Sequence, residues 1–267
     1  MTTEQTMKPV ESAGMLSGFK NMLRKENDSW VGTRRWLTQS VIWLMFVNGI
    51  VTLVLYLNSS VQVGAQPPME SLSAVQLFFT MLGSITPFGV IILTQSDVVG
   101  EKQSGTAEWV LSAPLSRESF LLSKLVVNSA WVFAIMVLLQ GVAFNLILVA
   151  FGLPMVPALN MVAGLAINCL HLLFWLTLSL MLGASFQGRG PVLGIPMAFL
   201  ILQDLVMQLA ARYAPWLIPL LPKSLMVQGL QLAQGDGLAS IVPVVAVALC
   251  SIMFTAAAVW RFRREEF

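Results

Sequence analysis

The fold of this chain is decided by the polar stretch at residues 100–124, GEKQSGTAEWVLSAPLSRESFLLSK, which separates two long apolar segments. A short helix is predicted to begin at Thr106, whose hydroxyl can cap it. The helix is predicted to end before Pro114, because a residue that precedes proline is pushed away from helical geometry. Ser116 then offers an N-cap for a new helix that enters the next apolar segment. We therefore expect two helices that meet at an angle within the polar stretch.

The composition of the 267-residue chain is that of a membrane protein. Hydrophobic residues make up 57% and charged residues only 10%, whereas about 25% of the residues in a soluble domain are charged. The net charge of +2 is too small, and the basic residues too scattered, to indicate a nucleic-acid partner. Cys169 and Cys250 each lie inside an apolar run, so we expect two buried thiols without a disulfide or metal role.

Six apolar runs are long enough to cross a membrane. A helix needs about 20 apolar residues to span the hydrocarbon core, and the qualifying runs are roughly residues 37–57, 75–96, 120–151, 158–185, 191–212 and 241–260. The third and fourth runs exceed this length, so we expect them to tilt or to project from the membrane. The predicted fold class is an all-α integral membrane protein with six transmembrane helices.

The segment before the first apolar run divides into two parts. Residues 1–12 are hydrophilic and are expected to form a tail, and no cleaved signal peptide is predicted. Over residues 14–35, apolar side chains recur at steps of three and four with basic residues on the other faces, which predicts a basic amphipathic helix at the membrane surface. A solvated run of charges is the alternative, since Glu26, Asn27 and Asp28 interrupt the pattern.

The distribution of basic residues predicts the orientation. If both termini are cytosolic, only Arg212 and Lys223 of the 15 Lys and Arg residues lie outside, as the positive-inside rule requires. The expected location is a plasma membrane of the bacterial inner-membrane type, crossed several times. The stretch at 213–237 contains three prolines in an apolar segment too short to span, which predicts a pair of short re-entrant helices packed on protein in the outer leaflet.

Polar residues at membrane depth are functional candidates because they are costly there. Asp204, Gln208 and Arg212 fall on one face of the fifth run, and Asn168, His171 and Trp175 share a face of the fourth. One interpretation is structural: Asp204 pairs with Arg212 through Gln208 or with a neighbouring span, and His171 hydrogen-bonds across helices. The other is a cargo path lined by Asn168, His171, Asp204 and Gln208. No metal site is predicted, because a single His lacks ligand partners.

The polar stretch resembles the signature that type-two ABC transporter permeases carry between their second and third spans. The matching residues are Glu101, Gly105, Thr106, Glu108, Pro114 and Lys124. The resemblance implies a cytosolic coupling helix, here within residues 100–119, that rests in a groove of a separate ATPase subunit. It also implies an amphipathic elbow helix before the first span and a hydrophobic outer hairpin before the last. An ordinary polar loop is the alternative for this stretch.

The resemblance implies partners and contact residues as well. The expected contacts with the ATPase subunit are Glu101, Gly105, Thr106, Glu108, Trp109, Leu111, Pro114 and Arg117, with Trp109 and Leu111 as apolar anchors. Six spans form half of a translocation path in this family, so a second copy or a close relative is expected to complete it. The chain has no GxxxxGK[ST] motif, and ATP with its Mg ion is therefore assigned to the ATPase partner.

The sequence thus predicts an exporter permease subunit that is not itself an enzyme and binds no cofactor. Its expected domains are a cytosolic tail with the elbow helix at 1–36 and a six-span transmembrane domain at 37–267. Export is favoured over import because the loops expected outside are too small to form a cargo-capturing domain. The alternative function is a membrane scaffold or an intramembrane enzyme that uses the polar faces of the fourth and fifth spans.

Overall fold

A computed structural model describes residues 14, 16–60, 71–111 and 115–265, and these residues form helices and short connections without a β-strand. Turns of π-helix, Leu44–Gly49 and Phe133–Leu138, join α2 to α3 and α7 to α8, and a 3-10 helix, Pro215–Leu220, precedes α11. The α-helices within this part of the chain are α1 (Phe19–Val31), α2 (Arg35–Trp43), α3 (Ile50–Ser60), α4 (Ser71–Thr94), α5 (Val99–Gln103), α6 (Thr106–Leu111), α7 (Arg117–Val132), α8 (Leu139–Ala150), α9 (Ala158–Ser185), α10 (Arg189–Tyr213), α11 (Ser224–Gln234) and α12 (Val242–Arg263).

Within the described residues, six helical stretches are long and apolar enough to cross a membrane, as many as the sequence predicts. In chain order the first to sixth spans are Arg35–Ser59, Leu72–Gln103, Arg117–Ala150, Ala158–Ser185, Arg189–Tyr213 and Val242–Arg263. The second span continues through α5 to Gln103, beyond the predicted end at residue 96. The chain is therefore an all-helical, multi-pass membrane protein.

The predicted start of the third span is also confirmed. The Ser116 hydroxyl accepts a hydrogen bond from the Ser119 N–H at 3.1 Å and so caps α7. The helix predicted to begin at Thr106 is α6, and Gly105, with φ of 71°, provides the left-handed turn that separates it from α5. The predicted stop at Pro114 lies outside the described residues.

The fourth span, α9, is the centre of the bundle. Its most apolar window is 72% buried, whereas the corresponding windows of α10 and α12 are only 22% buried. It packs against α4, α7, α10, α11 and α12, because its apolar residues cover all sides of the helix. Trp175 is fully buried there and lies edge-on to Phe174, with the two ring centroids 5.2 Å apart. The fifth and sixth spans consequently form the periphery of the bundle.

The two short helices before the sixth span pack on the bundle. The second of them, α11, contacts α9 and α4, and Gly164 of α9 lies directly against it. A Cβ atom on Gly164 would lie 2.6 Å from the carbonyl oxygen of Gly229 and 2.8 Å from the ring of Phe79. Only a residue without a side chain fits between these helices.

The π turns of the first and third spans are connected by side chains. Asn48 lies in the first turn and Gln140 lies two residues after the second, and both side chains are buried. The Asn48 amide donates to Gln140 Oε1 at 2.7 Å, and Gln140 Nε2 donates to the Ile135 carbonyl of the second π turn at 2.9 Å. Turns of this kind bend helices and release backbone carbonyls from regular pairing. Here a pair of amide side chains links the two irregular turns.

Candidate functional site

Helix α1 packs on the start of the third span. The indole rings of Trp30 and Trp131 stack with centroids 5.7 Å apart. Trp30 Nε1 donates to Asn128 Oδ1 at 3.0 Å, and Trp131 Nε1 donates to Asn27 Oδ1 at 3.1 Å. Asn27, one of the residues that interrupt the amphipathic pattern of α1, therefore faces α7. Its hydrogen bond with Trp131 explains why the helix continues through the interruption.

A buried lysine joins α1 to the two ends of the polar stretch. The Lys124 side chain is only 2% exposed, and its Nζ lies 2.9 Å from Glu26 Oε1 and 2.9 Å from Glu101 Oε1. Lys25 Nζ adds a second contact to Glu101 at 3.0 Å. Glu101 and Lys124, which are separate parts of the signature in the sequence, are thus in direct contact.

An acid and an amide extend this group toward the membrane interior. Asn128 Nδ2 donates to Asp97 Oδ2 at 2.7 Å, so the same amide bonds both Asp97 and Trp30. We call Glu26, Asp97, Glu101, Lys124 and Asn128 the Lys124 cluster. Charges taken out of water persist only when they are paired and hydrogen-bonded. Lys124, Glu26 and Glu101 meet this requirement as ion pairs, and Asp97 is held by the hydrogen bond from Asn128.

The end of the sixth span is tied to the same region. The Arg117 guanidinium donates to the backbone carbonyls of Phe262, Arg263 and Glu265, at 3.2, 2.7 and 2.6 Å. Lys102 Nζ donates to the Ala184 carbonyl at the end of the fourth span at 3.0 Å and to Glu265 Oε1 at 2.9 Å. We call this end of the bundle, where the Lys124 cluster and Arg117 lie, the polar end.

Helix α6 presents a large aromatic side chain at the polar end. Trp109 is 77% exposed, whereas Ala107 is fully buried and holds the opposite side of the helix against the protein. The hydroxyls of Ser104 and Thr106 are 2.8 Å apart across the turn at Gly105. The side chains of Glu108 and Leu111, and all of Pro114, lie outside the described residues.

Two of the predicted contacts with an ATPase subunit are engaged within the chain itself. Glu101 pairs with Lys124 and Lys25, and Arg117 holds the end of the sixth span. Trp109, in contrast, is 77% exposed and well placed to meet a partner. Among the members of the set whose side chains the structure describes, Glu101 and Arg117 therefore hold the polar end together, whereas Trp109 projects from it.

The polar pair of the fourth span is buried in the core. Trp175 Nε1 donates to His171 Nε2 at 3.1 Å, and Asn168 Nδ2 donates to the Gly164 carbonyl at 3.2 Å. Both bonds lie within α9, whereas a bond across helices was predicted for His171. Among the described residues, no group of three His, Cys, Asp or Glu side chains is arranged to hold a metal ion.

Asp204 pairs with Lys223 and not with Arg212, so the predicted pairing within the fifth span is wrong. The chain folds back after α10 and brings Lys223 beside the carboxylate, which is 64% exposed. Partial burial lowers the pKa of the Lys223 ammonium from its ordinary value. Gln208 is also exposed. Asp204 and Gln208 therefore lie on an outer face of the bundle, and the buried Asn168 and His171 do not form one site with them.

We expect Asp204→Asn to lower the free energy of unfolding by about 1–3 kcal/mol, because the carboxylate lies within the fifth span, where an exposed face meets lipid or detergent, and its loss leaves the Lys223 ammonium without its partner. Thermal unfolding of the purified chain in detergent measures this, with Lys223→Gln as the reciprocal variant. A double-mutant cycle gives the coupling energy of the pair. A negligible loss would show that water reaches the pair.

A family model described as "Protein of unknown function (DUF2705)" matches residues 36–267. The match covers all six spans, apart from Arg35 at the start of the first span. It also covers most of the Lys124 cluster. Helix α1, which supplies Glu26, lies before the matched residues. No curated protein matches the chain.

Proposed function

The chain belongs to this family of unknown function, and from the arrangement of its polar end we propose that it is the permease subunit of an ATP-driven ABC exporter. The observation that carries the proposal is the exposed Trp109 on a short helix that follows directly on the Lys124 cluster. At this point α1 and the ends of four spans converge. A partner bound to α6 would therefore act on most of the bundle at once.

The proposed mechanism is rigid-body coupling. ATP closes two ATPase subunits, each moves the α6 helix docked on it, and the spans rock between two arrangements. Two carboxylates share the Lys124 ammonium, so a displacement of α5 is passed to α1 and to α7. The bonds of Arg117 to the end of α12 pass it to the sixth span.

The finer features of the fold take their roles from this proposal. Helix α1 is the elbow helix in the cytosolic headgroup layer, and the segment 100–119 with α6 is the coupling segment. The 3-10 helix and α11 are the outer hairpin. The packing of Met22 and Trp30 into the protein, with Arg24 exposed, supports the placement of α1. The positive-inside distribution supports cytosolic termini.

A second copy or a close relative completes the proposed translocation path. The fifth and sixth spans are the least buried of the bundle within the described residues, together with the first. Apolar helices that face outward can pair with a second bundle as well as with lipid. ATP and Mg belong to the ATPase partners in this assembly, and the cargo crosses between the two bundles.

The alternative function, an intramembrane enzyme or scaffold, draws less support from the geometry. It needs the polar residues of the fourth and fifth spans in one site, yet His171 is fully buried and Asp204 is exposed. The bond from Trp175 also occupies His171 Nε2.

We expect Trp109→Ala to weaken association with the ATPase subunit by about 30-fold, because a central aromatic anchor contributes about 2 kcal/mol or more. The measurement is extraction of the chain from its native membrane in mild detergent, followed by mass spectrometry of the proteins that co-purify. The matched control is Trp216→Ala, which removes another exposed indole, 71% exposed, beyond the fifth span. It should leave the partner bound.

The outcomes separate the parts of the proposal. An ATPase subunit recovered in about equal amount with the unaltered chain, and lost with Trp109→Ala alone, supports both the permease assignment and the docking helix. An ATPase retained by both variants means that α6 is not the docking element. A chain that purifies without any ATPase overturns the exporter proposal.

A further inference from the structure

An apolar groove runs along the outside of the bundle between the third, fourth and sixth spans. Its volume is about 610 Å³, within the range of about 300–1,000 Å³ of small-molecule sites. The groove exists because the sixth span carries small side chains there. Its apolar walls are Leu125, Leu170, Leu173, Ala248, Ala256 and Val259.

The hydroxyl groups that line the groove are already bonded within their own helices. Thr177 Oγ1 donates to the Phe174 carbonyl at 3.0 Å, and Ser251 Oγ donates to the Val247 carbonyl at 2.9 Å. Thr255 Oγ1 donates to the backbone of the same helix at 2.8 Å. The length of the groove therefore presents hydrocarbon to its occupant.

The groove ends at a cluster of positive charge. Arg263 lines this end, and Trp260 forms its rim with the Arg264 guanidinium 4.1 Å above the indole ring. Arg263 is half-exposed and bonds Glu118 through Nε. A guanidinium has five N–H donors in all, so the remaining donors of Arg263 can bind an anion at the mouth of the groove.

The groove is long enough to hold an acyl chain across one whole membrane leaflet. Ala248 and Arg263 are fifteen residues apart on α12, which at the helical rise corresponds to about 22 Å. Half of the hydrocarbon core is about 15 Å thick. A chain that enters beside Arg263 can therefore remain in the groove from the headgroup region to beyond the membrane midplane.

We infer that this groove binds an anionic phospholipid of the leaflet at the polar end, with its phosphate at Arg263 and one acyl chain along α9 and α12. An arginine fits a phosphate group because its donors match the phosphate oxygens. A second copy of the chain fits less well, since it would bury Arg263 and Arg264 away from water. Only the identification of this leaflet as cytosolic rests on the proposed orientation.

The experiment uses the full chain in vesicles of phosphatidylcholine with phosphatidylglycerol as the minor component. In one preparation the phosphatidylglycerol carries a photoactivatable group near the end of its acyl chain, and in the other the phosphatidylcholine carries it. After irradiation, mass spectrometry maps the labelled peptides. We expect preferential labelling of α9 and α12 by phosphatidylglycerol. Arg263→Gln should lower this labelling about tenfold, because it removes charge-assisted hydrogen bonds to phosphate.

Three variants control for charge, for the Glu118 contact and for the space itself. Arg261→Gln removes the same charge from the same helix end, outside the groove lining, and should keep most of the labelling. Glu118→Gln removes the ion pair of Arg263 but leaves the arginine in place, so most of the labelling should also remain. Ala256→Phe fills the groove and should abolish labelling while Arg263 is retained.

Three results would overturn the inference. Equal labelling by the two lipids would show that the phosphate charge is not recognised. An equal loss with Arg261→Gln and Arg263→Gln would assign the effect to general surface charge. Cross-links between two copies of the chain along α12, in place of lipid, would identify the groove as an interface between copies.

Discussion

Replacing Lys124 by methionine is expected to lower the free energy of unfolding by about 3–5 kcal/mol, because it leaves buried carboxylates without a partner. The side chains of Glu26 and Glu101 are 13% and 21% exposed, so water replaces little of the lost interaction. Methionine is unbranched and only one atom shorter than lysine, so the cost is mainly that of the missing charge. Thermal unfolding of the purified chain in detergent measures it.

Lys25→Met is the matched control for this prediction. Lys25 contacts the same Glu101 carboxylate at 3.0 Å, but its side chain is 42% exposed, so its loss should cost less than about 1 kcal/mol. Adding Glu26→Gln and Glu101→Gln to Lys124→Met should restore part of the stability, because no unpaired charge then remains. If Lys124→Met were no more destabilising than Lys25→Met, the buried ion pairs would not hold α1 in place. Limited proteolysis adds a second measurement, since detachment of α1 exposes Phe19–Val31 to cleavage.

Gly164→Leu is expected to destabilise the chain by about 3 kcal/mol, since even a Cβ atom at this position would meet the backbone of α11 at 2.6 Å. The carbonyl oxygen of Gly229 belongs to a helix and cannot rotate away as a side chain would. Relief therefore requires α11 to move off α9. Gly164→Ala should give a smaller loss of the same kind.

The comparison for this variant is Gly194→Ala. Gly194 lies on an exposed part of α10, and no atom lies within 4 Å of a Cβ built there. Alanine is favoured over glycine inside a helix by roughly 0.5–1 kcal/mol, so this change should be neutral or slightly stabilising. Equal losses at the two glycines would mean that α9 and α11 are not in close contact in the membrane.

The spans and the cap at Ser116 could be predicted because both depend on local sequence. The length of an apolar run and a hydroxyl before a helix are visible without knowledge of the fold. The partner of Asp204 could not be predicted in the same way. Arg212 lies on the same helix face, but Lys223 reaches the carboxylate only because the chain folds back through a 3-10 helix.

The Lys124 cluster was predicted in part. The resemblance singled out Glu101 and Lys124, yet the sequence gives no sign that the two side chains are in contact. Glu26 was interpreted as an interruption of an amphipathic helix, since periodicity does not show which residue meets another element. An isolated lysine followed by Asn128 near the start of an apolar run was the available signal, because a buried cation requires acidic partners.

The π turns next to the Asn48–Gln140 contact determine where the chain length of two spans can change. A π turn holds one residue more than an α turn, so it absorbs that residue without rotating the helix that follows. Deleting a single residue from Leu44–Gly49 would leave a regular α turn and keep α3 on its present face. A deletion elsewhere in the same span would instead rotate everything after it by about 100°. The same holds for Phe133–Leu138 and α8. A one-residue deletion should therefore be tolerated better within these two segments than elsewhere in the first and third spans.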